Sequence, residues 1–157
     1  DKPKAVCAAE RLSALNSEIT IRTYPIRLTE ENAQEIISQY DIVVDGCDNF
    51  STRYLINDIC AEMGKVYVYG AICGFEGQVS VFHYGEEKKS YRDLYPDEEE
   101  MRRMPPPPKG VMGITPAVTG SIEATEVLKI ICGFGEVLSG KLWTIDLRTL
   151  QSNKFSL

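Results

Sequence analysis

The sequence predicts an α/β fold: a Rossmann-like, mainly parallel sheet with helices on both faces and antiparallel strands at the C-terminal end. Two observations predict this class. Segments with helical and strand periodicity alternate along the chain, which requires crossover connections between parallel strands. In addition, residues 41–45 and 66–72 form short apolar runs, as is typical of strands buried on both faces of a sheet.

Four helices are predicted from apolar residues at helical spacing and from capping residues. They are residues 4–15, 29 to about 40, 51–63 and 115–132. The first carries Val6, Ala9 and Leu12 at helical spacing. The second begins at the capping residue Thr29, and the third ends at Gly64, a residue type that favours the left-handed conformation after a helix.

Six strands are predicted, at residues 18–24, 41–45, 66–72, 78–83, 141–146 and 153–157. The first alternates Ile19 and Ile21 with polar residues, which is the period of two expected of a strand. The last two are interpreted as a final strand pair.

The segment from Gly85 to Lys109 interrupts this alternation, and we predict a long, mobile crossover loop over about residues 85–112. Three consecutive glutamates occupy positions 98–100, and four consecutive prolines occupy 105–108. Proline lacks a backbone N–H, and a highly charged segment has little apolar surface to bury. The sequence therefore predicts a surface loop that contributes nothing to the core.

Composition favours a soluble globular protein. The 157 residues are 43% hydrophobic and 25% charged, with a net charge of −6. No apolar run approaches the roughly 20 residues of a membrane helix, and the negative charge disfavours nucleic acid and anionic membranes. The five cysteines are widely spaced and form no CxxC pair. Together with the absence of a recognisable signal peptide, such free thiols favour the cytoplasm.

Candidate site residues follow the apolar strand at 41–45. Asp48 lies on the turn after this strand, at the sheet edge where open α/β sheets bind ligands. A carboxylate there can hold Mg²⁺, which keeps several waters and bridges to phosphate oxygens. Arg53, one turn into the next helix, can pair with a neighbour or orient the loop. The alternative is that Asp48 and Asn49 only cap the helix.

A nucleotide-binding turn is missing from the chain. No GxGxxG turn and no Walker-type loop occurs, although a doubly wound nucleotide domain normally opens with a strand and a glycine-rich turn. Either the chain is a fragment, or it never bound a nucleotide by that device.

Four segments match, in order, the motifs of one enzyme family. Residues 45–53, DGCDNFSTR, resemble a DxxDNxxxR signature. Residues 2–16 and 110–129 resemble KxxxAxxxLxxLN and GVxGxxPxxxGxxxAxExxK motifs. Residues 70–78, GAICGFEGQ, resemble a GxxGxxGQ motif with one more residue between the first two glycines. By these matches the chain resembles the ubiquitin-activating-enzyme superfamily, specifically its bacterial adenylyltransferases of the ThiF/MoeB/HesA kind, over nearly its whole length.

This resemblance implies roles for individual residues. Asp48 would bind Mg²⁺ together with ATP, and Lys4 would contact the ATP phosphates. Arg53 would complete the catalytic set, with Asn49 and Ala71 beside the nucleotide. Residues 1–157 would be the C-terminal part of one adenylation domain, and because the glycine-rich part is absent, we expect this fragment alone to be inactive.

The resemblance also implies a reaction and a partner. The reaction is ATP-dependent adenylation of the C-terminal glycine carboxylate of a ubiquitin-like sulfur-carrier protein that ends in Gly-Gly. It would serve thiamine or molybdopterin biosynthesis, and the enzyme would be a homodimer. Two alternatives remain open: an NAD-dependent oxidoreductase on the same fold, for which no hydride-transfer residues can be named, and a non-catalytic partner-binding scaffold.

The chain departs from the family at several cysteines. Ser90 and Asp93 stand where many relatives carry the first of two CxxC pairs that hold zinc, which implies that this zinc site is lost. Pro106 lies near the position of a cysteine that forms a covalent sulfur link in several relatives. Cys47 and Cys73 are interpreted as core residues, since free cysteine is commonly a small buried hydrophobe.

Overall fold

Five strands and six helices occupy the described residues, 2–105 and 110–157, of the computed structural model. The strands are β1 (Ile42–Val44), β2 (Val66–Cys73), β3 (Glu76–Phe82), β4 (Lys141–Asp146) and β5 (Gln151–Ser156). The helices are α1 (Lys4–Leu15), α2 (Glu30–Ile37), α3 (Phe50–Met63), α4 (Tyr91–Leu94), α5 (Glu98–Arg103) and α6 (Ile114–Cys132). None of the described helices has the length and apolar composition of a membrane span.

The strands form one open sheet in the order β1-β2-β3-β4-β5, which confirms the predicted α/β class. The β1–β2 pairing is parallel, whereas the other three pairings are antiparallel. The C-terminal antiparallel strands were predicted, but the described sheet is less parallel than predicted. The reason is that Gly74 and Phe75 alone join β2 to β3, and two residues can form a hairpin but not a crossover. Gly74 adopts a φ of 58°, which suits glycine in such a turn.

Capping residues fix both ends of α3. The side chain of Asn49, the N-cap residue, accepts a hydrogen bond from the Thr52 backbone N–H at 2.9 Å. Gly64 follows the helix in the left-handed conformation, with a φ of 64°. The helices predicted at 4–15, 51–63 and 115–132 are confirmed to within one residue at each end, and the one predicted to about residue 40 ends at Ile37.

The strand predicted at residues 18–24 is wrong, because these residues belong to no strand. β1 pairs with β2 along one edge, and no other strand in the described part of the chain lies beside β1. An extended segment becomes a strand only where a neighbouring strand satisfies its N–H and C=O groups. The alternation at Ile19 and Ile21 therefore predicted a strand for which the described chain offers no partner.

Helices cover both faces of the sheet, each over its own apolar cluster. On one face, α2 and α3 contribute to the cluster that contains Tyr67 and Tyr69. On the other face, α6 packs over the cluster that contains Val68 and Val79. Successive residues of β2 thus point to opposite faces, as strand geometry requires. The helices predicted on both faces are confirmed.

The predicted crossover loop contains two short helices and contributes to the core. α4 and α5 lie within it, and the side chain of Tyr91 is fully buried. The prediction of a segment without core residues is therefore wrong. Ser90 and Asp93 form a capping box that starts α4, and the pairs Glu98–Arg102 and Glu99–Arg103 stabilise α5. We call residues 90–103 the strap.

Candidate functional site

A buried ion pair holds the turn that follows β1. Arg53 Nε donates to Asp45 Oδ2 at 2.8 Å, and the two side chains are 10% and 0% exposed. Asp45 Oδ2 also accepts a hydrogen bond from the Tyr67 hydroxyl at 3.1 Å. Because each charge has a partner at hydrogen-bonding distance, the pair avoids the large penalty of an isolated buried charge.

The same pair fixes the backbone on both sides of the turn. Asp45 Oδ1 accepts from the Cys47 N–H at 2.7 Å, and Arg53 Nη2 donates to the Cys47 carbonyl oxygen. Arg53 Nη2 also donates to the Gly70 carbonyl oxygen of β2 at 3.3 Å. Burial alone would lower the pKa of Arg53, but the charge of Asp45 raises it above its usual value. The guanidinium therefore stays charged and joins α3, the turn and β2.

Asp48 and Asn49 have different roles in this turn. Asn49 caps α3 through its side-chain oxygen. Asp48 does not cap the helix; it is exposed, and its carboxylate accepts a hydrogen bond from Asn49 Nδ2 at 3.2 Å. Of the two residues proposed as caps, the structure assigns that role to Asn49 alone. The Asp48 carboxylate is directed to solvent, where a ligand can reach it.

Ala71 lies on β2, one residue after the Gly70 carbonyl that Arg53 holds. It pairs with Gln78 of β3 and is half-buried against the α3-side cluster. The structure therefore brings four predicted site residues to one edge of the sheet: Asp48, Asn49, Arg53 and Ala71.

Lys4 is not brought to this edge by any described interaction. It is the first residue of α1, is exposed, and forms no hydrogen bond or ion pair with the other residues that the structure describes. No residue of α1 is buried. The predicted contact of Lys4 with phosphates stays a prediction.

A groove of about 540 Å³ lies beside the site. It is lined by Thr29 at the N-terminus of α2 and by Ser51 and Thr52 in the first turn of α3. Its volume lies within the range of about 300–1,000 Å³ that small-molecule pockets occupy. Two helix N-termini border the groove, and helix N-termini favour anions. Its lining also contains four carboxylates, Glu30, Glu31, Asp58 and Glu98, against the two arginines Arg27 and Arg102, so the groove as a whole does not favour an anion.

A second buried carboxyl, Glu123, was not identified from the sequence. It is 7% exposed on α6, and its Oε1 atom and the Thr119 hydroxyl have no hydrogen-bond partner within the described residues. Burial, followed by the charge of Asp45, raises the pKa of Glu123 to about 7. A Cβ atom on Gly70 would lie 2.3 Å from this carboxyl group, so the glycine leaves the space that Glu123 fills. The sequence feature that could have identified this site is the pair Thr119 and Glu123, two polar residues one turn apart on a mostly apolar helix.

Comparison with known proteins decides the family. The model of the ThiF family matches residues 1–157. The chain belongs to the ThiF family.

Named relatives agree with this assignment. The chain is 47% identical over 157 residues to a sulfur carrier protein adenylyltransferase of Thermus thermophilus, covering 92% of this chain and 55% of the relative. It is 43% identical to a probable molybdopterin-synthase adenylyltransferase of Pyropia yezoensis, covering 98% and 41%. It is 42% identical to the probable adenylyltransferase/sulfurtransferase MoeZ of Mycobacterium tuberculosis, covering 92% and 38%. The chain spans about half or less of the length of these relatives.

Solved structures share the fold. Escherichia coli MccB, solved with ATP, matches 99% of this chain and 48% of its own with a TM-score of 0.79 and 19% identity. PaaA matches 99% and 47% with a TM-score of 0.75 and 14% identity. At such identities these matches establish the ThiF-type fold alone.

Ser90 and Asp93, at the positions of the expected zinc-binding cysteines, form the capping box of α4 in this ThiF-family chain. The Ser90 N–H donates to Asp93 Oδ2 at 2.7 Å, and the Ser90 hydroxyl oxygen accepts from the Arg92 N–H at 3.1 Å. No cluster of three or more potential metal ligands occurs within residues 2–105 and 110–157. The loss of the zinc site stays a prediction, and Pro106 lies outside the described residues.

The cysteines near the site differ in exposure. Cys47 packs half-buried against the core, where burial and then the charge of Asp45 raise the pKa of its thiol to about 12. At neutral pH it is therefore a thiol and a poor nucleophile. Cys73 is exposed, so its interpretation as a core residue is wrong. It is the last residue of β2, next to the hairpin turn.

Proposed function

We propose that the full-length protein uses ATP to adenylate the C-terminal glycine carboxylate of a ubiquitin-like sulfur-carrier protein. The observation that carries the proposal is the turn after β1, where the buried Asp45–Arg53 pair leaves the Asp48 carboxylate exposed at the sheet edge. Relatives named as sulfur-carrier and molybdopterin-synthase adenylyltransferases support the reaction class.

In the proposed reaction, a carboxylate oxygen of the carrier attacks the α-phosphorus of ATP. An acyl–phosphate bond forms, the bond to the β-phosphate breaks, and pyrophosphate leaves. Catalysis of this kind depends mainly on positioning and on neutralising charge. We assign Lys4 to the phosphates, and Asn49 and Ala71 to the wall beside the nucleotide. Since the interactions of Arg53 are made with the protein itself, its contribution is to position the Asp48 turn.

The residues at the turn fit a magnesium ion. Mg²⁺ is usually bound by one or two carboxylates together with substrate phosphates and several waters, and the Asp48 carboxylate is accessible for this role. When bound there, the ion would neutralise charge on the ATP phosphates. The Asn49 side-chain oxygen is already used by the helix cap, so of these two turn residues Asp48 would supply the ligand.

The proposal covers carriers of both the thiamine and the molybdopterin routes. It also includes a homodimer in the cytoplasm. Support for an oligomer comes from large apolar side chains that are 49–67% exposed on and just after α6, namely Leu128, Ile131 and Phe134. Such neighbouring apolar groups are typical of interaction surfaces.

The experiment is to incubate the full-length protein with ATP, Mg²⁺ and a carrier ending in Gly-Gly, and to measure the carrier mass. We expect a carrier species heavier by one AMP group. The control carrier lacks the terminal glycine and should show no such species, because its terminal carboxylate is one residue short. A carrier that binds but is never adenylated would contradict the proposal and favour a partner-binding scaffold.

A further inference from the structure

The polar face of α6 contacts the sheet at two glycines. A Cβ atom on Gly70 of β2 would lie 2.3 Å from the carboxyl carbon of Glu123, and one on Gly77 of β3 would lie 2.2 Å from the Thr119 hydroxyl oxygen. Only glycine at these positions lets the helix place a carboxyl group and a hydroxyl directly on the strands. The two polar side chains are therefore buried, with Thr119 2% and Glu123 7% exposed.

Neither polar group is satisfied by the protein around it. Glu123 Oε1 and Thr119 Oγ1 have no hydrogen-bond partner within residues 2–105 and 110–157. Most buried polar groups in proteins are hydrogen-bonded, and a buried carboxylate without a hydrogen-bonded cation is far less favourable than a neutral carboxyl group. The geometry therefore favours the protonated form of Glu123.

The elements nearest to Glu123 offer it no free cation among the described residues. On the face of the sheet that α6 covers, β2 and β3 present apolar side chains, such as Val68 and Val79, which do not ionise. On α6 itself, Lys129 lies 2.5 Å from the buried carboxylate of Glu126, so this lysine already has a partner. The charged groups that act on Glu123 belong to the buried pair after β1.

Arg53 is the cation that an ionised Glu123 could recruit. Its Nη2 atom donates to the Gly70 carbonyl oxygen at 3.3 Å, and the Glu123 carboxyl group packs against the same glycine. Burial, followed by the charge of Asp45, raises the pKa of Glu123 to about 7, whereas the charge of Arg53 opposes this rise. Two carboxyl groups thus share one guanidinium, and the ionised form of Glu123 would compete with Asp45 for it.

This competition would reach the Asp48 turn. Arg53 Nε donates to Asp45 Oδ2 at 2.8 Å, and Arg53 Nη2 donates to the carbonyl oxygen of Cys47, the residue before Asp48. Asp45 Oδ1 accepts from the Cys47 N–H at 2.7 Å. A guanidinium displaced toward α6 would give up the contacts that fix this backbone.

We propose that Glu123 is a positioning residue whose protonation state controls the Asp45–Arg53 pair and, through it, the Asp48 turn. Neutral Glu123 leaves Arg53 with Asp45 and keeps the turn in place. Ionised Glu123 draws the guanidinium away and releases the turn, so the site is impaired as the pH rises through neutrality. The consequence for catalysis rests on the proposed adenylation, whereas the response of Arg53 to pH does not.

The first test follows Arg53 and needs no catalysis. In full-length protein labelled with 15N-arginine, NMR measures the hydrogen exchange of the Arg53 Nε–H relative to free arginine at the same pH. Between pH 6 and pH 8.5 we expect this protection to fall by about tenfold in the wild type, because the Asp45–Arg53 pair opens. In Glu123→Gln, whose side chain cannot ionise, it should change by less than about twofold.

The second test measures the pH dependence of ATP–pyrophosphate exchange by the full-length protein with saturating substrates. Between pH 6 and pH 8.5 we expect the wild-type kcat to fall by about fivefold. Glu123→Gln should lose less than about twofold over the same range. The matched control is Glu62→Gln, at an exposed position on α3, which should reproduce the wild-type fall in both tests.

The two tests separate this inference from the proposed function. Constant protection of the Arg53 Nε–H in the wild type, or an equal fall in the wild type and Glu123→Gln, would overturn the inference even if the carrier is adenylated. An active wild type whose fall in kcat persists in Glu123→Gln would also overturn it. A wild type without exchange activity would count against the proposed function, and the Arg53 measurement would still decide the inference. If Glu123→Gln does not fold, the wild-type protection alone decides it.

Discussion

Two carboxyl groups lie buried near one guanidinium group in this chain. Asp45 is paired with Arg53 at 2.8 Å, whereas Glu123 has an oxygen without a partner within the described residues. A buried carboxyl without a hydrogen-bonded cation favours its neutral form. Ionised Asp45 fixes the site through its pair with Arg53. Ionisation of Glu123 would add a second buried negative charge that has no hydrogen-bonded cation within the described residues.

Replacement of Glu123 by glutamine is expected to stabilise the protein at alkaline pH. Burial raises the pKa of Glu123 from its usual 4.5 to about 7 in the folded state. Its contribution to stability is therefore fully present below about pH 4.5 and is lost as the pH rises to about 7. The loss is on the order of 1–3 kcal/mol. Urea unfolding at pH 5 and pH 8 should show a smaller pH dependence for Glu123→Gln than for the wild type.

The matched control is Glu62→Gln, at an exposed position on α3. It should reproduce the pH dependence of the wild type. An equal change of unfolding midpoint between pH 5 and pH 8 in wild type and Glu123→Gln would show that Glu123 is not the titrating group.

The exposed Asp48 and Asn49 and the buried Arg53 were identified from the sequence, whereas the buried Glu123 was not. Motif spacing placed Asp48, Asn49 and Arg53 at the end of a strand, and the structure agrees. The burial of Glu123 was not predictable, because it depends on the space beside Gly70 on another element. The hydrophobic periodicity of α6 contains no information about the space beside Gly70 on β2.

At the level of elements, α3 connects the site to the strap. Its first turn carries the cap Asn49 and Arg53 at the sheet edge, and Asn57, one turn further, holds the strap. A displacement of α3 would therefore move the turn and the strap together. The left-handed backbone conformation of Gly64, which ends this helix, can be tested by substitution.

Gly64→Ala is expected to destabilise the protein by about 1 kcal/mol. Gly64 has a φ of 64°, and no atom lies within 4 Å of the position that a Cβ atom would occupy there, so the whole cost arises from the backbone conformation. Gly113→Ala is the control, since Gly113 also has open space around its Cβ position but a φ of −56°. Chemical denaturation should separate the two variants; equal stabilities would contradict the conformational explanation.

Element types were largely predictable, whereas strand partners were not. Helix caps and periodicity located α1, α3 and α6 because these signals are local. β3 is antiparallel to β2 because only Gly74 and Phe75 connect them. The predicted strand began at residue 78, two residues too late, so the predicted connection was longer than a hairpin turn. The strap was predicted to be a loop without core residues because its charged composition concealed one core residue, Tyr91.

For the whole molecule, we propose that the described chain supplies one side of the site. It spans 55% of the Thermus thermophilus relative, and Lys4 lies on a helix without buried residues. Leu12 and Leu15 of that helix are 49% and 84% exposed. We propose that the remaining part of the adenylation domain covers this helix and brings Lys4 to the phosphates.

The most direct measurement is ATP–pyrophosphate exchange by the full-length protein carrying Asp48→Asn. We expect a folded variant whose exchange rate falls by about 10²–10³-fold, because one charge partner of the ATP–magnesium complex is lost. Asp41→Asn, at the opposite end of the same strand, should exchange at the wild-type rate. Wild-type exchange by folded Asp48→Asn would contradict the assignment of this turn as the nucleotide site.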